Sequence, residues 1–198
     1  MSRTIDLRRH TDNDGDVLSP EGVAAAVALG EALEDDIAFA VSTGAQRATQ
    51  TLACALGATT RVRVPCGVLV EAKLRSAVED RWKAAVKATG DARMTAVREV
   101  DAELVDDESA RLGAGLRRVL EQLGDGNRAL VIGHSPTNEA AVLGLTGQEV
   151  EPMGTGAGVR LSEHNGVFSV AALATVEVTG PGHERDHGGL GATRRPAG

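Results

Sequence analysis

Aromatic side chains are nearly missing from this sequence, which holds no Tyr, one Trp and two Phe in 198 residues. A surface that stacks bases needs such rings, so recognition of nucleic acid by stacking is excluded and the core must be built from Ala, Val and Leu. A basic excess is missing too. The formal net charge is -7 and the pI is near 5.3, which leaves no broad positive field for nucleic acid or for an anionic membrane. Any affinity for phosphate has to be local.

Cysteine is scarce as well: Cys54 and Cys66 stand alone, with no CxxC pair and no disulfide spacing, which fits buried thiols in a reducing compartment. No apolar run reaches membrane-spanning length, and the first ten residues, MSRTIDLRRH, are charged where a signal peptide has its apolar core. The cytoplasm is the expected compartment. At 42% hydrophobic, the chain can bury one sizeable core and is too short for two ordinary domains.

What is present alternates. Thr4 to Leu7 reads as a strand, and Ser19-Pro20-Glu21 opens a helix through Leu33. Ile37 to Val41 reads as a strand, then a turn at Ser42-Thr43-Gly44, a helix to about Leu56 and a strand at Arg61 to Val64. Residues 76–89 and 101–123 carry helical spacing, Ala129 to Ile132 is a strongly apolar strand, and a helix starts near Pro136. Val159 to Leu161 and Val167 to Leu173 flank Asn165-Gly166, a dipeptide suited to a hairpin turn. Strands alternating with helices predict a sheet covered on both faces, a single α/β domain over residues 1–178. From about Gly180 the composition turns to Gly, Pro, Arg and His, so residues 179–198 are expected to form a disordered tail. Apolar helices of this kind pack either internally or across a dimer.

Three strand exits deliver the residues with chemistry: Arg9 and His10 after the first strand, Arg47 shortly after Ser42, and His134 after Leu130-Val131-Ile132-Gly133. Ligands sit at such strand ends in α/β sheets. A neutral imidazole can attack phosphorus, and two guanidinium forks match the oxygens of a phosphate dianion. Alternation along the strand turns Arg8 away from Arg9 and gives it a structural or rim role.

These segments resemble the histidine phosphatase superfamily, which includes cofactor-dependent phosphoglycerate mutases and SixA-like phosphohistidine phosphatases. Arg9-His10 is similar to its Arg-His signature, Ser42 to Thr51 to the segment with its second Arg, and Gly133-His134-Ser135-Pro136-Thr137 to the segment with its second His. Leu18-Ser19-Pro20-Glu21-Gly22 is similar to the start of its first helix, and the wording Gly-His-Ser-Pro is nearest to SixA-like members. The likeness covers residues 3 to 175 in order. It implies a three-layer α/β/α sandwich with a mixed, mainly parallel central sheet. It also implies a phosphohistidine on His10, phosphate binding by Arg9, Arg47, His10 and His134, and no metal or other cofactor. The substrate is then a phosphorylated small molecule or a phosphohistidine protein. The family's proton-donating Glu falls on Glu71 in Val68-Leu69-Val70-Glu71, with Asp12, Asp14 and Glu139 as alternatives.

The signature departs at one position, Arg-His-Thr where the family has Arg-His-Gly, and this places a branched Thr11 at the floor of the site. The alternatives to a phosphatase are a phosphomutase on the same scaffold, and a phosphate-ligand binder with a weak or dead site. Lys73, Arg75, Arg81 and Lys83 read as a solvated helix face or as contacts to an acidic substrate. His183-Glu184-Arg185-Asp186-His187 spells HExxH between glycine pairs that oppose a helix, a chance match to a zinc motif. Gly154-Thr155-Gly156-Ala157-Gly158 reads as a flexible turn near the phosphate site that could lend backbone N–H groups, and His164 as a surface residue.

Overall fold

Strand and helix alternate through residues 1–176, the part of the chain that this computed structural model describes. In order, β1 (Ser2–Arg9) leads through a small hairpin, β2 (Asn13–Asp14) and β3 (Val17–Leu18), to α1 (Pro20–Glu31). Then come β4 (Ile37–Ser42), α2 (Gln46–Ala58), β5 (Val62–Val70), a 3-10 turn (Ala72–Leu74), α3 (Glu79–Thr89), α4 (Met94–Val100) and α5 (Ala102–Gln122). The last elements are β6 (Arg128–Gly133), α6 (Thr137–Thr146), β7 (Gly158–His164) and β8 (Val167–Leu173). Ser19 caps α1 by accepting from the Gly22 N–H at 2.9 Å, and Pro20 opens the helix where its missing N–H costs nothing. Asn165 and Gly166 turn the last hairpin with φ of 50° and 82°.

Six strands form one sheet in the order β5-β4-β6-β1-β7-β8. The first four run parallel, and β7 and β8 are antiparallel additions. Period-2 alternation divides the central strand β6 between two cores: Ala129 and Val131 face one, Leu130 and Ile132 the other. Leu29, Ala48, Leu52 and Ala55 of α1 and α2 fill the thinner layer, while α3 to α6 cover the opposite face with Trp82, Leu104, Leu112, Leu116 and Val142. This is the expected three-layer sandwich with a mixed, mainly parallel sheet. Two glycines set its tightest approaches. A Cβ on Gly144 would strike the Ser109 carbonyl where α6 crosses α5, and one on Gly22 would strike the Asp12 carbonyl under the loop that follows His10.

The elements differ from expectation where tertiary packing outweighs local pattern. Strand β5 runs on through Pro65 to Val70, which an edge strand tolerates because one of its sides needs no partner. Helix α4, short and charged, exists because Met94 and Val97 are buried. The β2–β3 hairpin fills a stretch, residues 12–18, that carries no strand-like alternation. The two His of the HExxH match lie outside the described residues.

Candidate active site

Because β1, β4, β5 and β6 are parallel, Arg9, Ser42, Val70 and Gly133 all end at one edge of the sheet. Two loops leave the central pair together there, as Arg9 lies beside Gly133 in the ladder and the His10 N–H donates to the Gly133 carbonyl at 3.0 Å. The His10 and His134 rings follow directly, with centroids 5.2 Å apart.

His10 is 5% exposed, and its Nδ1 lies 2.7 Å from the Thr11 carbonyl. A carbonyl only accepts, so Nδ1 carries the proton and the lone pair is left on Nε2. Arg47 Nε donates to that Nε2 at 3.2 Å. Burial, outweighing the Thr11 hydrogen bond, holds the His10 pKa below its ordinary value, and the Arg47 and Arg9 charges push the same way. The ring is therefore neutral at pH 7, with a nucleophilic nitrogen pointing at a guanidinium.

His134 is 8% exposed, with Nε2 at 2.9 Å from Thr43 Oγ1 and a buried Nδ1 that has no partner among the described residues. Burial first, then the charge of Arg47, pushes its pKa down to about 3. Arg9 is anchored through Nη1 to the Met153 carbonyl at 2.9 Å. Arg47, on the first turn of α2, splits its fork between His10 and Asp16, whose carboxylate accepts from Nη1 at 2.7 Å and is about half exposed. The geometry thus brings together Arg9, His10, Arg47 and His134, four of the five residues expected to act.

Glu71 departs from expectation. It follows β5 at the same edge, but its carboxylate is held by Arg118 of α5 at 2.7 and 3.2 Å and accepts from the Lys73 N–H at 3.0 Å. Burial raises its pKa, and the Arg118 and Lys73 contacts together outweigh that and leave it lowered, the wrong direction for a proton donor. The alternatives fare no better. Asp12 accepts from Ser19 and helps shape the start of α1, Asp14 is exposed on the hairpin, and Glu139 is sealed in. Burial raises the pKa of Glu139, whose Oε1 accepts from Ser135 Oγ and the Met153 N–H at 2.7 and 2.6 Å. It therefore braces the loop that anchors Arg9.

A cavity of about 460 Å³ opens over this edge, lined at its inner end by Arg9, Arg47 and His134 and along one side by α3. Glu79 lines it and Glu71 does not. Sequence reasoning missed Glu79, Asp16 and Thr43. The i, i+3, i+4 pattern of α3 was visible, but nothing local says which face meets the site.

Thr11 does not crowd the floor. Its hydroxyl donates to the Gly22 carbonyl at 2.7 Å and lies 3.2 Å from Thr51 Oγ1, so the side chain ties the loop to α1 and α2 while its carbonyl fixes His10. Arg8 is buried on the other side, donating to the Gly156 and Ala174 carbonyls. The glycine-rich turn is stitched to the first loop: Gly156 N–H donates to the His10 carbonyl at 3.2 Å, and Arg9 N–H to the Ala157 carbonyl at 2.9 Å. His164 ends β7 at the surface. Among the described residues no three His, Cys, Asp or Glu side chains are placed to share a metal ion, and no helix is long and apolar enough to cross a membrane.

Residues 2–162 match the histidine phosphatase superfamily (branch 1). The chain belongs to that superfamily. Its fold is similar to that of phosphoglycerate mutase from Bacillus anthracis str. Sterne, with a TM-score of 0.65, 18% identity, and 87% of this chain and 92% of that one covered. It is also similar to the alpha-ribazole phosphatase from Shigella flexneri (TM-score 0.61, 14% identity, 90% and 100% covered). Phosphoserine phosphatase from Entamoeba histolytica is a third likeness (TM-score 0.59, 14% identity, 87% and 98% covered). No curated protein sequence matches the chain. As a histidine phosphatase superfamily member it shares its fold with a mutase and with phosphatases alike, and at these identities the likeness speaks for the fold alone.

Proposed function

We propose that this protein is a metal-independent phosphatase that hydrolyses a phosphomonoester through a phosphohistidine on His10. The observation that carries the reading is the His10 tautomer: Nδ1–H spent on the Thr11 carbonyl, Nε2 unprotonated and accepting from Arg47 Nε, and the ring neutral. A phosphate dianion entering the cavity meets Arg9 and Arg47 on its oxygens and displaces Asp16 from Arg47. His134 offers a further N–H, favoured once the dianion offsets the cationic charge around the ring. The His10 Nε2 lone pair forms a bond to phosphorus in line as the bond to the leaving oxygen breaks. Water then attacks phosphorus, the P–N bond breaks, the electron pair returns to Nε2, and phosphate leaves.

The leaving oxygen takes a proton, and the attacking water loses one. We assign both transfers to Glu79, the carboxyl residue that lines the cavity and meets Arg75 only loosely, at 3.6 Å on an exposed surface, in place of Glu71, whose oxygens are engaged by Arg118 and Lys73. A phosphomutase would share every step up to the phosphohistidine and differ in the acceptor.

The test is phosphate release from p-nitrophenyl phosphate, with and without EDTA. Wild type is expected to turn over in EDTA and His10→Ala to fall below detection; equal rates in the two proteins would overturn the assignment of His10. Glu79→Gln should slow an alkyl phosphate, whose leaving oxygen needs the proton, by about 10²-fold, and p-nitrophenyl phosphate far less. Unchanged rates on both substrates would remove Glu79 from the proton path, and equal slowing of both would leave it only the water-activating half.

A further inference from the structure

The cavity is longer than a phosphate needs. Beyond Arg9, Arg47 and His134 it continues along one face of α3, where Glu79, Trp82, Lys83, Val86 and Lys87 follow the i, i+3, i+4, i+7, i+8 spacing of a helical stripe, and Ala92 and Pro136 line it too. From Glu79 to Lys87 the helix rises eight residues, about 12 Å. The middle of this stretch is apolar, with Trp82 and Val86 on α3 and Pro136 across from them. Its outer part is cationic. Lys83 reaches Asp80 at 3.3 Å on an exposed surface, and the exposed Lys87 has no ion-pair partner among the described residues. On a chain of net charge -7, four of the five charged side chains that line this cavity are cationic.

We infer that the site selects small phosphomonoesters whose alcohol part is an extended apolar segment ending in a second anionic group, which Lys87 and Lys83 bind about 10 Å from the phosphorus. The inference rests on the phosphate site proposed above and adds the substrate class. A cleft of about 460 Å³ falls in the size range of small-ligand sites. Lys87 also lies in the last turn of α3, where a cation favours the helix terminus. That role would make itself felt in stability and leave ligand preference untouched.

The experiment uses ω-carboxyalkylphosphonates of increasing chain length, with alkylphosphonates of equal length as partners, in calorimetric titration of wild type and Lys83→Ala/Lys87→Ala. Phosphonates are not hydrolysed, so the result stands whether or not the protein is a phosphatase. The carboxylate is expected to tighten binding about tenfold over the methyl-ended partner at a chain of six to eight methylenes, roughly the reach of two helical turns, and less at two or three. In the double variant the ratio should fall to near one, with inorganic phosphate as the check that the inner site is intact. A ratio near one at every length in wild type would overturn the inference, as would a ratio that survives in the variant. Failure of the phosphatase reading would show separately, as absent turnover of p-nitrophenyl phosphate.

Discussion

The sheet edge that carries the site has two halves held by different means. In the β1–β6 half, Arg9, His10 and His134 leave two adjacent parallel strands, their loops are joined by main-chain hydrogen bonds, and both imidazoles are buried. In the α2–β5 half, the charged side chains are held by other charges: Arg47 by the half-exposed Asp16, and Glu71 by Arg118. The first half is fixed through main chain and burial, which suits a nucleophile that must meet phosphorus in line. The second offers partners that an incoming anion can replace. A phosphate on Arg47 competes with a carboxylate already there, whereas nothing competes for the lone pair of His10 except Arg47 itself.

Breaking the rigid half should cost most. His134→Ala removes a donor from a buried, preorganised site, so kcat for p-nitrophenyl phosphate should drop by about 10² to 10³ with the far-UV spectrum unchanged. A loss below tenfold would mean that His134 is scaffold only.

The rigid half also carries a pH liability. The folded-state pKa of His134 lies near 3, below its unfolded value of about 6.5, so the unfolded chain binds the proton more tightly. Stability is full above pH 6.5 and falls as the pH drops from there toward 3, by about 2 kcal/mol at pH 5 from this one group. Urea midpoints at pH 7 and pH 5 should therefore separate widely in wild type, and draw together in His134→Asn. Equal separation in the two proteins would locate the acid sensitivity elsewhere.

The exchangeable half should respond in the opposite sense. Asp16→Asn frees Arg47 and is expected to tighten binding of vanadate or phosphate by up to about fivefold, since an exposed ion pair is worth no more than ~1 kcal/mol. Weaker binding in the variant would show that Asp16 orients Arg47 and does not compete with the ligand.

The same division governs what could be read in advance. Arg9, His10 and His134 stand directly at the ends of apolar strands, so chain order alone sends them to one sheet edge, and Arg47 follows from a short turn onto a helix. Trp82 and Leu112 reveal helices that must be covered, but a stripe does not say whether its polar flank faces water or a cavity. That is why Glu79 and Lys87 went unseen while Arg9 did not. Thr11 was misjudged for a related reason. A branched residue beside a nucleophile suggests crowding, yet the Gly22 carbonyl accepts the hydroxyl and draws it out of the site. Glu71 sits where its strand predicts, and only the turn of its carboxylate toward a helix some fifty residues further along decides its role.

That last point yields the smallest expected effect and separates the two carboxylates most sharply. Glu71→Gln keeps the shape of the side chain and can still accept from Arg118 and from the Lys73 N–H, while losing the charge that pairs with the guanidinium. If Glu71 only ties β5 to α5, kcat should change by less than about twofold, with alkyl and aryl phosphates affected alike, and stability should fall by about 1 kcal/mol, the worth of a part-buried charged pair. If it leaves Arg118 to serve the leaving group, the loss would be steep for the alkyl phosphate and slight for p-nitrophenyl phosphate, the profile expected of Glu79→Gln. Running both variants on both substrates therefore assigns the proton by the ratio of two losses, which a general weakening of the fold does not mimic because it lowers both rates together.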